Sequence, residues 1–236
     1  MTRDASTRDV GVVIVAAGES TRMAGGGREL KQFRWIAGKP MLLHSLQAFM
    51  ARPDVVSVVC VIPRAYVGDP PPWIFQCDVD RLLLSIGGRT RTESVRNGLE
   101  DLPDTATVAL IHDAARPIVD DVVVDRIVAL ARTGECAIPA LAVVDTIKEA
   151  NADGMVLQTL DRTKLWRAQT PQAFPRELIE RAHHEARKND VSATDDAALC
   201  ERIGIPVAIV AGSERAMKVT DESDFARVEA LLAATR

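Results

Sequence analysis

The apolar positions of the chain fall into short runs separated by stretches with a helical period. The runs Val10–Ala16, Val55–Ile62, Leu82–Ile86, Val108–His112, Cys136–Val143 and Val207–Val210 are the strand candidates, several of them rich in valine and isoleucine. Several are apolar on both alternations, as strands covered on both faces should be. The helical period predicts helices over Met41–Met50, Thr92–Leu102, Val122–Arg132, Arg176–Lys188, Asp195–Ile203 and Glu222–Ala233. Pro40 suits a helix start, and Pro53 suits a stop just after the first helix. Strand and helix in alternation imply an α/β fold, a mostly parallel sheet flanked by helices with right-handed crossovers. In such sheets ligands bind beyond the carboxyl ends of the strands.

One region breaks the alternation. Between Asp145 and Arg167 the dipeptide Asp153-Gly154 separates two runs with partial period-two character, which predicts a hairpin. A two-stranded ribbon is marginal alone in water. The arm, at about 143–167, is therefore expected to protrude and to lean on a second subunit; the alternative is a long surface excursion on a monomer. Pro70-Pro71-Pro72 marks a stiff connection, and there are no internal repeats. The chain reads as one domain over residues 1–236.

Composition narrows the function classes. Hydrophobic residues make up 47% of the 236 residues and charged residues 26%, which is ordinary for a globular protein. A net charge of −4 argues against a general nucleic-acid binder but leaves room for a local phosphate pocket. Cys60, Cys77, Cys136 and Cys200 form no C-x-x-C pair and read as free thiols in a reducing compartment. The amino-terminal text "MTRDASTRD" resembles no signal peptide or membrane span, so a cytoplasmic protein is expected.

Candidate chemistry lies where the strands end. After the first strand comes "AAGESTRM", which is neither the dinucleotide fingerprint nor the P-loop. Ala16, Ala17 and Gly18 let backbone approach a ligand, and Arg22 and Lys31 add positive charge, a combination that suits a triphosphate. It also reads as a tight turn with two solvated cations. After the third strand, "GGRTRTESVRNG" offers Gly88, Ser94 and the cations Arg89, Arg91 and Arg96. A helix entry with an exposed basic edge is an equal reading there. In "HDAARP", Asp113 at a strand tip is a place for Mg²⁺ beside substrate phosphates, or else a capping carboxylate paired with Arg116. His112 reads as a packed strand residue and His183-His184 as helix surface. Lys218 precedes a helix capped by Thr220 or Asp221.

Taken together, "AAGESTRM", "KQF", "GGRTRTESVRNGL", "HDAARP", "DTIK", "DRTKLWRAQTPQAF", "TDDAAL" and "MKVT" resemble the 2-C-methyl-D-erythritol 4-phosphate cytidylyltransferases, from about Val10 to Phe225. Val15, Ser20, Leu30 and Arg89 depart from that family's usual residues. The resemblance implies a Rossmann-like nucleotidyltransferase sheet with a protruding β-hairpin arm that reaches across a homodimer. It implies that CTP and 2-C-methyl-D-erythritol 4-phosphate react to give the cytidine-diphosphate alcohol and pyrophosphate, with Mg²⁺ or another divalent cation.

Carried over by motif, Arg22 and Lys31 hold the triphosphate, and Lys218 reaches the reacting phosphates. Ala16, Ala17 and Gly18 bring backbone to the nucleotide, while Gly88 and Ser94 contact cytosine. Asp113 holds the metal, and Arg116 and Thr170 face the substrate phosphate. Thr146 and Arg162, on the arm, serve the partner's site. A ribitol 5-phosphate cytidylyltransferase is the nearest alternative, and Ala115 is the one residue that speaks against it. A dehydrogenase would need the missing glycine fingerprint. A non-catalytic nucleotide-binding homologue would have lost Asp113, Lys31 or Lys218.

Overall fold

A computed structural model of the chain describes residues 7–18 and 30–234. Ser20 and Arg22 lie outside the described residues, so the expectation placed on Arg22 stands where the sequence left it. In chain order the elements are β1 (Val10–Val15), β2 (Trp35–Ile36), β3 (Lys39–Pro40), α1 (Met41–Met50), β4 (Val55–Ile62), α2 (Arg64–Val67), β5 (Leu82–Ile86) and α3 (Arg91–Glu100). Then follow β6 (Val108–Asp113), α4 (Asp121–Arg132), β7 (Cys136–Ala142), β8 (Lys148–Ala150), β9 (Val156–Thr159), β10 (Trp166–Ala168) and β11 (Gln172–Pro175). The chain closes with α5 (Arg176–Lys188), α6 (Ala197–Arg202), β12 (Val207–Ala211) and α7 (Glu222–Ala233).

The main sheet runs β5-β4-β1-β6-β11-β7, with β10 and β12 also paired to β7. The pairs β4–β5, β1–β4, β1–β6 and β7–β12 are parallel, while β10 and β11 run antiparallel to their neighbours. The α/β architecture, mostly parallel with helices on both faces, is the one expected. The order of strands through the sheet reverses between β1 and β6, since β4 and β5 lie on one side of β1 and β6 on the other. That reversal makes the carboxyl ends of β1 and β6 the natural ligand crevice.

Alternation along β1 explains the two cores. Val12 and Ile14 face one cluster with Leu42, Leu46 and Phe49 of α1 and Val124, Ile127 and Val128 of α4. Val13 faces the other, with Val95 and Leu99 of α3, Ile179 of α5 and Leu199 of α6. A third cluster docks α7, through Phe225 and Val228, on Ile36, Met41 and Ile118. A buried face on each side of the sheet leaves only the strand ends for ligands.

The short strands β10 and β11 were not legible from periodicity. They lie on one edge of β7, where Ala168 pairs with Ala140 and Ala173 with Ala137. The stretch from Ala168 to Ala173 is therefore longer than the stretch of β7 that it faces. The surplus puts a bulge at Gln169, Thr170 and Pro171, beside the tip of β6. The Thr170–Pro171 peptide is cis.

The hairpin expected at Asp153-Gly154 is present. β8 and β9 pair with each other in a sheet of their own, and Gly154 adopts φ 79° in the connecting turn. Every residue of both strands is exposed. The arm also exposes Val144, Met155, Val156 and Leu157 to solvent. His183, expected on a helix surface, is instead buried, because its α5 position shares a face with Ile179 and Ala186.

Candidate active site at the strand tips

A cleft of about 750 Å³ opens at the carboxyl ends of β1, β4, β5 and β6. Ala16, Ala17, Gly18, Lys31, Gly88, Ser94, Asp113 and Lys218 all line it. Residues far apart in the chain thus meet because parallel strands end together.

The glycine step after β5 has a steric cause. A Cβ on Gly87 would stand 2.2 Å from the Cβ of Ala17, so only glycine lets the two loops touch. The Gly87 amide continues the ladder to the Ile62 carbonyl at 2.8 Å. The Gly88 amide donates to the Ser94 hydroxyl at 3.0 Å, and that hydroxyl donates to the Thr90 carbonyl at 2.9 Å. Ser94 therefore shapes the loop at the same time as it lines the cleft. Thr90 caps α3 by accepting from the Glu93 amide, and the Glu93 carboxylate accepts from the Arg89 amide. The Arg89 side chain is 94% exposed at the rim.

The first loop is held by Gln32, a residue the sequence reading passed over. Its buried amide donates to the carbonyls of Ala16 and Gly18. The signal was its place in "KQF" beside Lys31, in a three-residue turn with no apolar reason to bury a glutamine. Lys31 donates to the Val219 carbonyl at 2.7 Å. The Val219 amide donates to the Ala115 carbonyl at 2.8 Å, which straps the segment carrying Lys218 onto the loop after β6. Asp221 and Asp224 close a capping box at the start of α7 immediately downstream.

Asp113 is the electrostatic centre. Its carboxylate accepts from Arg91 Nε at 3.1 Å and from Lys218 Nζ at 2.7 Å. Burial pushes this carboxyl up, but Arg91 and then Lys218 outweigh it and hold it well below the usual carboxylate range. It is ionised at neutral pH. The capping alternative fails in its partner: Arg116 turns away, donating to the carbonyls of Ala216 at 2.6 Å and Ala168 at 3.2 Å. The Arg116 Nε has no hydrogen-bond partner among the described residues. Thr170 is buried at the bulge and accepts from the Asp113 amide at 3.1 Å. His112 is fully buried, contacts the Arg116 carbonyl and Thr170, and burial lowers its pKa to about 4, which keeps it neutral. It is the packed strand residue expected.

The residues Thr146 and Arg162 are not in this cleft. Both are exposed at the base of the arm, where Arg162 donates to the Val144 carbonyl. No group of three or more histidine, cysteine, aspartate or glutamate side chains among the described residues could cage a metal. A single ionised carboxylate is what remains, with lone pairs beyond those its two cationic partners occupy. That donor set fits Mg²⁺, which keeps waters and takes one or two carboxylates together with substrate phosphates.

The comparisons with known proteins agree with this geometry. The family model described as IspD: 2-C-methyl-D-erythritol 4-phosphate cytidylyltransferase matches residues 10–234. The 2-C-methyl-D-erythritol 4-phosphate cytidylyltransferase of Syntrophus aciditrophicus is 38% identical over 224 residues, covering 94% of this chain and 95% of that protein. A bifunctional enzyme IspD/IspF of Rhodospirillum rubrum is 42% identical over 227 residues, covering 94% of this chain; this chain spans 56% of its length. The crystal structure of 2-C-methyl-D-erythritol 4-phosphate cytidylyltransferase from Thermus thermophilus superposes with a TM-score of 0.77 at 30% identity, covering 94% of this chain and 98% of that one.

Proposed function

Because the chain belongs to the 2-C-methyl-D-erythritol 4-phosphate cytidylyltransferase family, the enzyme of that step in the non-mevalonate isoprenoid pathway, we propose how its own residues carry the reaction. CTP lies along the cleft, with its triphosphate against Ala16, Ala17, Gly18 and Lys31 and its base toward Gly88 and Ser94. The 4-phosphate oxygen of the alcohol attacks the α-phosphorus. A new P–O bond forms, the bond to the bridging oxygen breaks, and pyrophosphate leaves.

The nucleophile is already anionic, so no strong general base is needed. The barrier is the approach of two anions, and preorganised cations lower it. Lys31, held to the Val219 carbonyl beside Lys218, supplies that charge together with Lys218, and Arg22 would add to it from the first loop. Asp113 would hold Mg²⁺, which when bound with the phosphates would neutralise their charge. The observation that supports this reading most is the convergence of Lys31, Asp113 and Lys218 on one cleft, where Gly87 lets the loop after β5 touch Ala17 of the first loop.

Arg116 and Thr170 would serve the substrate phosphate from just behind the cleft lining, which includes neither. The arm, with its exposed Val144, Val156 and Leu157, would pack on a second copy and deliver Thr146 and Arg162 to that copy's cleft. The protein would then be a cytoplasmic homodimer, each chain a single domain with an exchanged arm. Among the described residues no helix is long and apolar enough to cross a membrane.

Pyrophosphate release with CTP, Mg²⁺ and either methylerythritol phosphate or ribitol 5-phosphate tests the substrate. Turnover is expected with methylerythritol phosphate and CTP, and not with ATP, GTP or UTP. Faster turnover of ribitol phosphate would replace the reading with its nearest alternative. For the shared site, Lys31→Ala and Arg162→Ala are each expected to be inactive. A mixture that has exchanged subunits should regain activity, and one that stays dead would count against the arm.

A further inference from the structure

Asp113 has two cationic partners, and they differ in how they are held. Lys218 comes from the mouth of the cleft, and its side chain is 45% exposed. Arg91 comes from the first turn of α3, and its second contact is internal: Nη1 donates to Asp196 Oδ2 at 2.8 Å. Asp196 is only 1% exposed. Its other oxygen meets His183 Nε2 at 3.0 Å, and its backbone amide donates to the buried side chain of Gln172 at 3.1 Å. Arg91 thus bridges a carboxylate that cannot move to one that faces the ligand.

We propose that Arg91, clamped by the buried Asp196–His183 pair, is a positioning residue that holds Asp113 in place while Lys218 leaves it for the reacting phosphates. The inference rests on the reading of Asp113 and Lys218 given above. A triphosphate in the cleft offers Lys218 more negative charge than one carboxylate does. If Lys218 were the sole side-chain partner of Asp113, its departure would leave no protein cation to fix where that carboxylate points. With Arg91 fixed from behind, one ion pair survives the exchange. A planar guanidinium suits this task because its fork reaches two carboxylates at once, whereas a lysine ammonium is a point charge on a flexible stem. The site departs here from the simple count of cations in "GGRTRTESV": Arg91 serves Asp113, not the phosphates directly.

The test is a double-mutant cycle on kcat, with Asp196→Asn and Arg91→Lys each combined with Asp113→Ala. Each single change at Asp196 or Arg91 is expected to lower kcat by about 10²-fold, the scale of a small misplacement of a reacting group. KM for CTP, and its Kd by calorimetry without the second substrate, should stay within about three-fold, because ground-state binding is spared. In the Asp113→Ala background the same changes should cost nothing further, since they act through that carboxylate. The inference is overturned if the losses multiply, if KM and Kd rise in step with the loss in kcat, or if Asp196→Asn keeps its kcat. Should Asp196→Asn fail to fold, Arg91→Lys alone decides by the same criteria. Full activity of Asp113→Ala would show a different failure, that of the catalytic reading itself.

Discussion

Two arginines that bridge carboxylates lie at opposite ends of the sheet, Arg52 buried and Arg91 half-buried, and only Arg91 stands at the candidate site. Arg52 is 5% exposed and donates to Asp54 at 2.9 Å, Asp121 at 3.0 Å and Asp125 at 2.9 Å. It ties the turn after α1 to the start of β4 and the first turns of α4, at the amino ends of the strands. Arg91 ties Asp196 to Asp113 at the carboxyl ends. The groove beside Arg52 measures about 1000 Å³ and is larger than the 750 Å³ cleft. Neither burial of an ion pair nor the size of the neighbouring hollow marks function here. What differs is that one carboxylate of the Arg91 pair also holds an exposed, exchangeable lysine, and that two lysines and two small-residue loops converge on it. The Arg52 cluster runs on instead through Arg132, which pairs with Asp54 at 3.5 Å and with Asp9 at 2.6 Å.

The largest expected effect separates the two ends directly. Asp113→Ala and Lys218→Ala should each lower pyrophosphate release by about 10²–10³-fold, as loss of a preorganised electrostatic group does, with a melting temperature near that of the parent. Arg52→Leu should leave turnover per folded molecule unchanged. Equal activity losses at both ends would abolish the distinction.

Stability should show the reverse order. Arg52→Leu leaves Asp54, which is 16% exposed, with the longer pair to Arg132 at 3.5 Å, and is expected to cost about 3 kcal/mol in urea unfolding, the low end for a broken buried pair because that contact remains and Asp121 and Asp125 can reach water. A cost under about 1 kcal/mol would class the cluster with ordinary surface pairs. Gly87→Ala sharpens the loop side of the comparison. Its new Cβ meets Ala17 and should cost about 1–3 kcal/mol and raise KM for CTP, read by unfolding and by steady-state kinetics.

The smallest effect is in acid. Burial pushes the Asp196 carboxyl up, but Arg91 and His183 outweigh it, so its folded value lies below the ordinary 3.8. The unfolded chain then binds the proton more readily. This share of stability is complete above pH 3.8 and is lost as pH falls through the lower folded value. Asp196→Asn should therefore flatten the fall of the urea midpoint below about pH 4, and an unchanged acid limb would contradict the pairing.

Much of this was legible in the chain. Strands Val55–Ile62 and Leu82–Ile86 and helices Met41–Met50, Arg176–Lys188 and Glu222–Ala233 begin and end where the periodicity places them. These elements bury apolar residues against neighbours on a regular face, so the pattern and the structure have one cause. The candidate residues Lys31, Gly88, Ser94, Asp113 and Lys218 meet as expected because each lies close to the end of a strand or the start of a helix. β10 and β11 escaped notice because three- and four-residue strands of mixed polarity owe their existence to the edges of β7 and β6. His183 could have been caught: it shares a helical face with Ile179 and Ala186.

By itself, then, the sequence determined the elements, their order and the loops from which phosphate-binding groups come, since periodicity and glycine placement are local properties. Which charges pair was decided only by tertiary structure. Arg91, Asp113, Asp196 and Lys218 lie far apart along the chain, and no local pattern distinguishes an arginine that meets phosphate from one locked to a buried carboxylate. That choice follows from how the low-polarity interior between α3, α5 and α6 closes around Asp196, where a carboxylate persists only with a partner.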